Sequence, residues 1–187
     1  ANVMVDGLVG SEMCIRDRVY GILNGTCNYI MSEMERTKDS FKNVLKMAQK
    51  LGYAEPGNPK LDLNGYDALA KIKILTSLAF NKKISKSECL MEGIENIDYA
   101  DIKIADQLDF RIKLLGITEI INNSIFERVH PCLVKKDSYI GNVDGVMNAV
   151  ILNGSPIGES VLQGEGAGPG PTSVSYTHLR AHETINH

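Results

Sequence analysis

Cysteine is scarce: Cys14, Cys27, Cys89 and Cys132 are the only four in 187 residues, and no two of them form a C-x-x-C pair. That spacing suggests neither a zinc knuckle nor a disulfide scaffold, and leaves reduced, buried thiols as the expectation. Three of the four histidines, His178, His182 and His187, crowd the last ten positions. "THLRAH" sets His178 and His182 one helical turn apart, a spacing that can hold zinc. No third ligand follows at a recognisable distance, so no metal is expected. Charge of one sign is missing too. A net charge of −3 without a basic run gives no electrostatic reason to expect nucleic acid or an anionic membrane as a partner. No apolar run reaches the roughly 20 residues of a membrane span, and the N-terminus lacks the basic, apolar, small-residue order of a signal peptide. A cytoplasmic location is expected.

What is present fits one ordinary domain, or the larger fragment of a two-domain enzyme. With 43% hydrophobic and 23% charged residues, seventeen glycines and six prolines, the composition is globular rather than disordered. The two ends stand apart. "VGSEMCIRDR" (9–18) and "VSYTHLRAHET" (174–184) do not continue the apolar periodicity beside them, and both resemble translated sequencing-adapter sequence. Residues 1–18 and 174–187 are therefore set aside as a non-native or unplaced leader and a non-native tail, both expected to pack poorly. The domain is expected over 19–173.

From Val19 the pattern becomes coherent. A short apolar run meets Asn24-Gly25-Thr26, where Asn24 or Thr26 can cap a helix. Backbone donors at such a start also favour an oxygen-rich ligand. A second helix follows Asp39-Ser40. Its apolar face is Phe41, Val44, Leu45, Ala48 and Leu51, and Gly52 stands where a left-handed C-terminal cap belongs. After the loop "YAEPGNPKLDLNG", residues 61–80 read as a third helix. A short helix near "DIKIADQLD" is followed by four alternating or β-branched runs, "RIKLLGITEI", "SIFERVHPCLV", "VMNAVILNG" and "IGESVLQG". Asn122-Asn123 and Asn153-Gly154-Ser155-Pro156 are the expected connectors. Helices first and an antiparallel-leaning sheet second predict an α+β fold, with helices packed on a mainly antiparallel mixed sheet.

Asp67 and Lys71 lie four apart in the third helix. On a solvated face such a pair is worth about 0.2–0.5 kcal/mol. The surrounding Ala68, Leu69, Ala70, Ile72, Ile74, Leu75, Leu78 and Ala79 predict instead a mostly buried helix, where a charged pair needs a cleft or further partners.

"AQKLGYAEPGNPKLDLNGYDALAK" (48–71) resembles the signature of the homoserine dehydrogenase family, with Tyr53, Ala54, Asn58-Pro59, Asp62, Gly65, Asp67 and Lys71 in place. The resemblance runs over about residues 19–173, through "GILNGTCNYI", "VDGVMNAV" and "GEGAGPGPT". It implies an oxidoreductase interconverting L-homoserine and L-aspartate 4-semialdehyde with NADP or NAD, in threonine, methionine and isoleucine biosynthesis. It implies a fold like the C-terminal domain of glyceraldehyde-3-phosphate dehydrogenase, and a homodimer. By the same resemblance Lys71 is the general acid/base, with Asp67 as its partner one turn earlier. Glu55 matches the substrate-binding glutamate, and Gly166 and Gly168 belong to a turn near the nicotinamide end of the cofactor. Asp62, between Glu55 and Asp67, is placed in the same polar cluster, either binding substrate or ordering the loop through an Asx-type turn. Physically, an amine beside reacting oxygen can move a proton as hydride is transferred. The glycine turn is no Rossmann fingerprint, since Pro169 or Pro171 stands where the third glycine would be.

Nothing in residues 1–18 resembles the family's dinucleotide-binding domain. The chain is therefore expected to be a truncated catalytic and dimerisation region, inactive on its own. The alternative from another class is a noncatalytic dimerisation module, and a zinc site at His178 and His182 is the third reading.

Overall fold

The computed structural model describes residues 15–57, 59–81, 83, 89–122, 124–156 and 158–166. Asn24 opens helix α1 (Gly25–Thr37), with its side chain accepting from the Cys27 N–H. Cys27, Ile30, Met31 and Met34 line the buried face, and Lys38, in the left-handed region, ends the helix with its N–H on the Met34 carbonyl. Ser40 caps α2 (Phe41–Lys50), which buries Val44 and Ala48. Gly52 follows with φ +76°, as its position after the last turn predicts. Leu51, expected on the apolar face, is exposed instead. It is the C-cap residue, at the open end of α2, with its N–H still on the Met47 carbonyl.

The segment expected as one helix over 61–80 is two. A single turn, α3 (Lys60–Leu63), stops at Asn64, and α4 runs Tyr66–Phe80. Gly65 between them has φ +86°, a conformation that a residue with a Cβ adopts at a cost, and the Asn64 side chain accepts from the Tyr66 N–H. Apolar periodicity reads straight through this break because both pieces keep a face on the core.

Only Ala68, Ile72 and Thr76 of α4 are buried, whereas Ile74 is 51% and Leu78 73% exposed. The expectation of a mostly buried helix is thus corrected. Ala68, Ile72 and Thr76 form its fully buried i, i+4 row, Leu69, Leu75, Ala79 and Phe80 pack against the core beside it while partly exposed, and Ile74 and Leu78 face outward.

A two-residue strand β2 (Leu90–Met91) and helix α5 (Tyr99–Gln107), held by an Asp98–Asp101 capping box, lead into the sheet. Its long strands are β3 (Phe110–Ile121), β4 (Ser124–Lys135), β5 (Met147–Ser155) and β6 (Gly158–Glu165). With β1 (Ile15–Ile22) they form a six-stranded sheet in the order β2-β4-β3-β1-β5-β6, antiparallel except for the β2–β4 pair. The fold is α+β. Val19, Leu23, Ile30, Met34, Ile72 and Leu114 share a core between the helices and one sheet face. Ile22, Leu115, Ile117, Ala149 and Ile151 form a second cluster on the other face, with Ile140 and Val143 packed there from the β4–β5 connection.

Two expectations about the sheet change together. β1 begins at Ile15 rather than Val19, and its extra residues pair with β5: Ile15 opposite Ser155 and Arg16 opposite Gly154. The segment set aside before Val19 therefore enters the sheet at its last four residues. Asn153, Gly154 and Ser155, expected as a connector, are strand residues for the same reason, and the turn falls later, where Gly154 faces Gly158. The Asn122 turn sits where expected, between the paired Ile121 and Ser124. Residues 1–14 and 167–187, including Gly168 and the histidines of the zinc reading, lie outside the described residues.

β3 also buries a charge that its alternating pattern does not announce. The Lys113 side chain is 2% exposed. Its Nζ donates to Asn28 Oδ1 at 3.1 Å, the Val143 carbonyl at 2.7 Å and Asp144 Oδ1 at 3.1 Å. Burial pulls the Lys113 ammonium below the usual lysine range, and Asp144 restores it only in part. At Asp144 burial pushes the other way, but Lys113 and Arg111 outweigh it and hold the carboxyl low. The two directions agree with the geometry: burial prevails at the enclosed lysine, and at the half-exposed aspartate the two cations together prevail over it. Lys113→Ala leaves three acceptors and a void behind. It is expected to cost roughly 3 kcal/mol in urea unfolding of the chain, and Lys113→Met, which fills the space, distinctly less.

Candidate active site

The polar cluster forms where β1 ends and α1 begins. Leu23, the residue after β1, presents its carbonyl to the Lys71 ammonium at 3.0 Å. Lys71 also meets Asp67 Oδ2 at 2.8 Å, the i, i+4 pair of α4. The Lys71 side chain is 43% and the Asp67 side chain 32% exposed, so the pair lies at an open edge rather than in the interior. It is nevertheless more than a solvated ion pair. Each member has a second, fixed partner from another element, which removes much of the freedom that makes exposed pairs weak.

Asn24 supplies the partner for the carboxylates. Its Nδ2 donates to Asp67 Oδ2 at 2.9 Å and to Asp62 Oδ1 at 2.8 Å, while its Oδ1 accepts from the Cys27 N–H at 2.8 Å. The Gly65 break lets Asp62 on α3 and Asp67 on α4 approach the same amide, although they are five positions apart. Cys27 lies behind them, its Sγ donating to the Asp62 carbonyl at 3.2 Å. Burial, and then the Asp62 and Asp67 carboxylates, push the Cys27 thiol far above its ordinary range. It is a structural thiol, not a nucleophile.

Glu55 is not in hydrogen-bond contact with this cluster among the described residues. It lies exposed in the loop after α2, where its backbone carbonyl accepts from Gln49 Nε2 at 3.1 Å. Its charge still reaches Asp62. Burial raises the Asp62 carboxyl; Asn24 opposes this, Asp67 and Glu55 raise it further, and Lys71 lowers it. The Thr26 hydroxyl donates to the Tyr53 carbonyl at 2.6 Å, fastening the Glu55 loop to the start of α1.

Gly166 follows β6, its N–H donating to the Val146 carbonyl at 2.8 Å. A Cβ on residue 166 would lie 2.2 Å from Asn148 Oδ1, so any larger residue there would have to displace that side chain. Asn148 Nδ2 in turn donates to the Leu23 carbonyl at 3.3 Å, the same oxygen that holds Lys71, and its buried Oδ1 has no partner among the described residues. Gly166 is thus one side chain away from the carbonyl that holds the ammonium.

Sequence reasoning brought Asp67 and Lys71 together and placed Asp62 beside them. It took Asn24 as a possible cap at a helix start whose backbone donors favour an oxygen-rich ligand, and did not foresee that its amide joins the two aspartates, nor that Asn148 shares the Leu23 carbonyl. A cap signal identifies an acceptor; it carries no information about what the other end of the amide meets.

The homoserine dehydrogenase family model matches residues 10–177. The chain belongs to that family. It is 48% identical over 155 residues to a homoserine dehydrogenase of Neisseria gonorrhoeae, covering 83% of this chain and 35% of the relative. A crystal structure of a homoserine dehydrogenase from Thiobacillus denitrificans superposes with a TM-score of 0.83 at 41% identity, covering 90% of this chain and 39% of that one. A hyperthermophilic archaeal homoserine dehydrogenase mutant, solved in complex with NADPH, shares the fold at 24% identity and a TM-score of 0.68, with 89% and 46% covered. The chain therefore spans about a third of the length of the curated relatives it matches. The family match starts ahead of Val19, as does β1.

The raised Asp62 carboxyl gives a pH dependence with a definite sign. The folded chain holds this proton more tightly than the unfolded one, so ionised Asp62 costs stability once the pH has risen through its folded range. Asp62→Asn is expected to melt at a higher temperature than the parent chain at neutral pH. The difference should vanish below about pH 3.9, where both are uncharged, as followed by circular dichroism across a pH series.

Proposed function

We propose that this chain is the catalytic region of an enzyme that interconverts L-homoserine and L-aspartate 4-semialdehyde, in threonine, methionine and isoleucine biosynthesis in the cytoplasm. The observation that carries the proposal is the Asp62–Asn24–Asp67–Lys71 cluster, an ammonium and two carboxylates fixed at an open edge by a buried amide, in a chain of this family. NADP or NAD supplies the hydride acceptor or donor when bound.

In this reading Lys71 moves the proton at the substrate's reacting oxygen. When homoserine is oxidised, the hydroxyl proton passes to the Lys71 amine as hydride leaves the carbon; in the reverse direction the ammonium returns it. Asp67 holds the lysine side chain within reach of that oxygen, and the Leu23 carbonyl fixes it from the other side. Asp62 and Glu55 provide negative charge for the α-ammonium of homoserine, an attraction that strengthens as water is excluded. Gly166, with Gly168 beyond the described residues, is assigned to the nicotinamide end of the cofactor. Its support is the close approach of Gly166 to Asn148, whose Nδ2 shares the Leu23 carbonyl with Lys71. The partner of the chain is proposed to be a second copy of itself.

Joining this chain to the upstream part of its reading frame and supplying L-homoserine should give NADP+ or NAD+ reduction, read at 340 nm as the reduced nicotinamide. Lys71→Met in that longer protein should lower kcat by roughly 100-fold or more while leaving the circular dichroism spectrum and melting temperature close to the parent's. An active Lys71→Met enzyme would refute the assignment of the proton-transfer role. Light scattering should report twice the chain mass, and a clean monomer would remove the dimer.

A further inference from the structure

Asn24 is 5% exposed and every hydrogen-bonding group on its side chain is engaged. The cap of α1 uses only the acceptor, a task that serine, threonine or aspartate performs as well. The two Nδ2 hydrogens do something different. One goes to Asp62 and one to Asp67, and the Asp67 oxygen that receives it is the same Oδ2 that meets Lys71. Among the side chains that cap helices, only asparagine accepts at one atom while donating twice from another.

We propose that Asn24 is a positioning residue of the active site: its Nδ2 group sets the spacing and orientation of Asp62 and Asp67, and through Asp67 the position of Lys71. The role rests on the functional reading above for its consequence in catalysis, but not for its geometry. A neutral donor suits this place. It holds two carboxylates near one another without cancelling either charge, so Lys71 stays paired with Asp67 and the Asp62 carboxylate remains open to a cationic ligand. A lysine or arginine there would neutralise what the site presents.

The charged and titratable groups facing this amide are Asp62 from α3, Asp67 and Lys71 from α4, Glu55 from the loop before α3, Cys27 from α1, and Glu95 through its field on Cys27. Lys71 is the cation among them. Asn24→Asp keeps the size and the cap acceptor but exchanges two donated hydrogens for another negative charge. Asn24→Ser keeps a cap and removes the donors without adding charge.

Thermal unfolding of the 187-residue chain from about pH 5 to about pH 8 separates the two roles. The Asn24→Asp chain should melt well below the parent at the alkaline end. The deficit should close as the pH falls, because a proton taken up by the crowded carboxylates replaces the lost donor; its folded affinity is raised, so its contribution is present at low pH and lost as pH rises. The Asn24→Ser deficit should be nearly constant. Equal, pH-independent deficits for both variants would reduce Asn24 to a helix cap and overturn the proposal. In the longer enzyme, Asn24→Ser should lower kcat roughly ten- to a hundred-fold with little change in the KM for the nicotinamide cofactor. An unchanged kcat would also overturn it. A parent enzyme without homoserine oxidation would refute the functional reading alone, and the melting series on the chain would still decide the role of Asn24.

Discussion

Two carboxylates, Asp62 and Asp67, divide the two hydrogens of one buried amide, and the polar end of the domain is arranged around that division. Like charges at this range repel, and a partly buried carboxylate without a donor is costly. The amide meets both problems only if its own oxygen is satisfied and its position is rigid. The first turn of α1 provides this through the Cys27 N–H, and the end of β1 sets where that turn begins. Helix, strand and site are therefore fixed by the same junction, Leu23 and Asn24, one by its carbonyl and the other by its side chain.

The two faces of the sheet handle buried charge differently. At the Asn24 junction the charges stay partly open, with Lys71 and Asp67 reachable from solvent, as binding and proton transfer require. At Lys113 the ammonium is enclosed and met by three acceptors, which rigidifies the joint between β3, α1 and the β4–β5 connection but leaves it no open coordination. Enclosure makes the second cluster structural. Access to solvent at Lys71 and Asp67 distinguishes the first.

Much of this fold was legible in the sequence because local chemistry and tertiary structure agree. Asn24, Ser40 and Asp98 are caps by residue type, and the long strands follow the runs of β-branched residues. The failures share a different cause, partners distant in sequence. Asn153-Gly154 has the composition of a turn, yet β1 recruits it as strand; the early start of β1 is invisible for the same reason, since backbone pairing is largely indifferent to side chains. The apolar run over 61–80 concealed the Gly65 break, because a periodic pattern survives a change of axis when both pieces face one core. In the site, the Asp67–Lys71 spacing is a local signal and was readable. The reach of Asn24 to Asp62 and Asp67 spans 38 and 43 positions and was not.

The Gly65 break has a bearing on how the domain assembles. By turning the chain between α3 and α4, it lets every described hydrogen bond of the Asn24, Asp62, Asp67 and Lys71 group close within 48 positions of sequence, the Lys71–Leu23 contact being the longest. The β1–β5 ladder, by contrast, joins Ile15 to Ser155. Loop closure becomes more costly as the intervening chain lengthens, though only logarithmically. The polar group thus closes the shorter loops, and the glycine that lets a helix stop and start again is what brings both carboxylates into them.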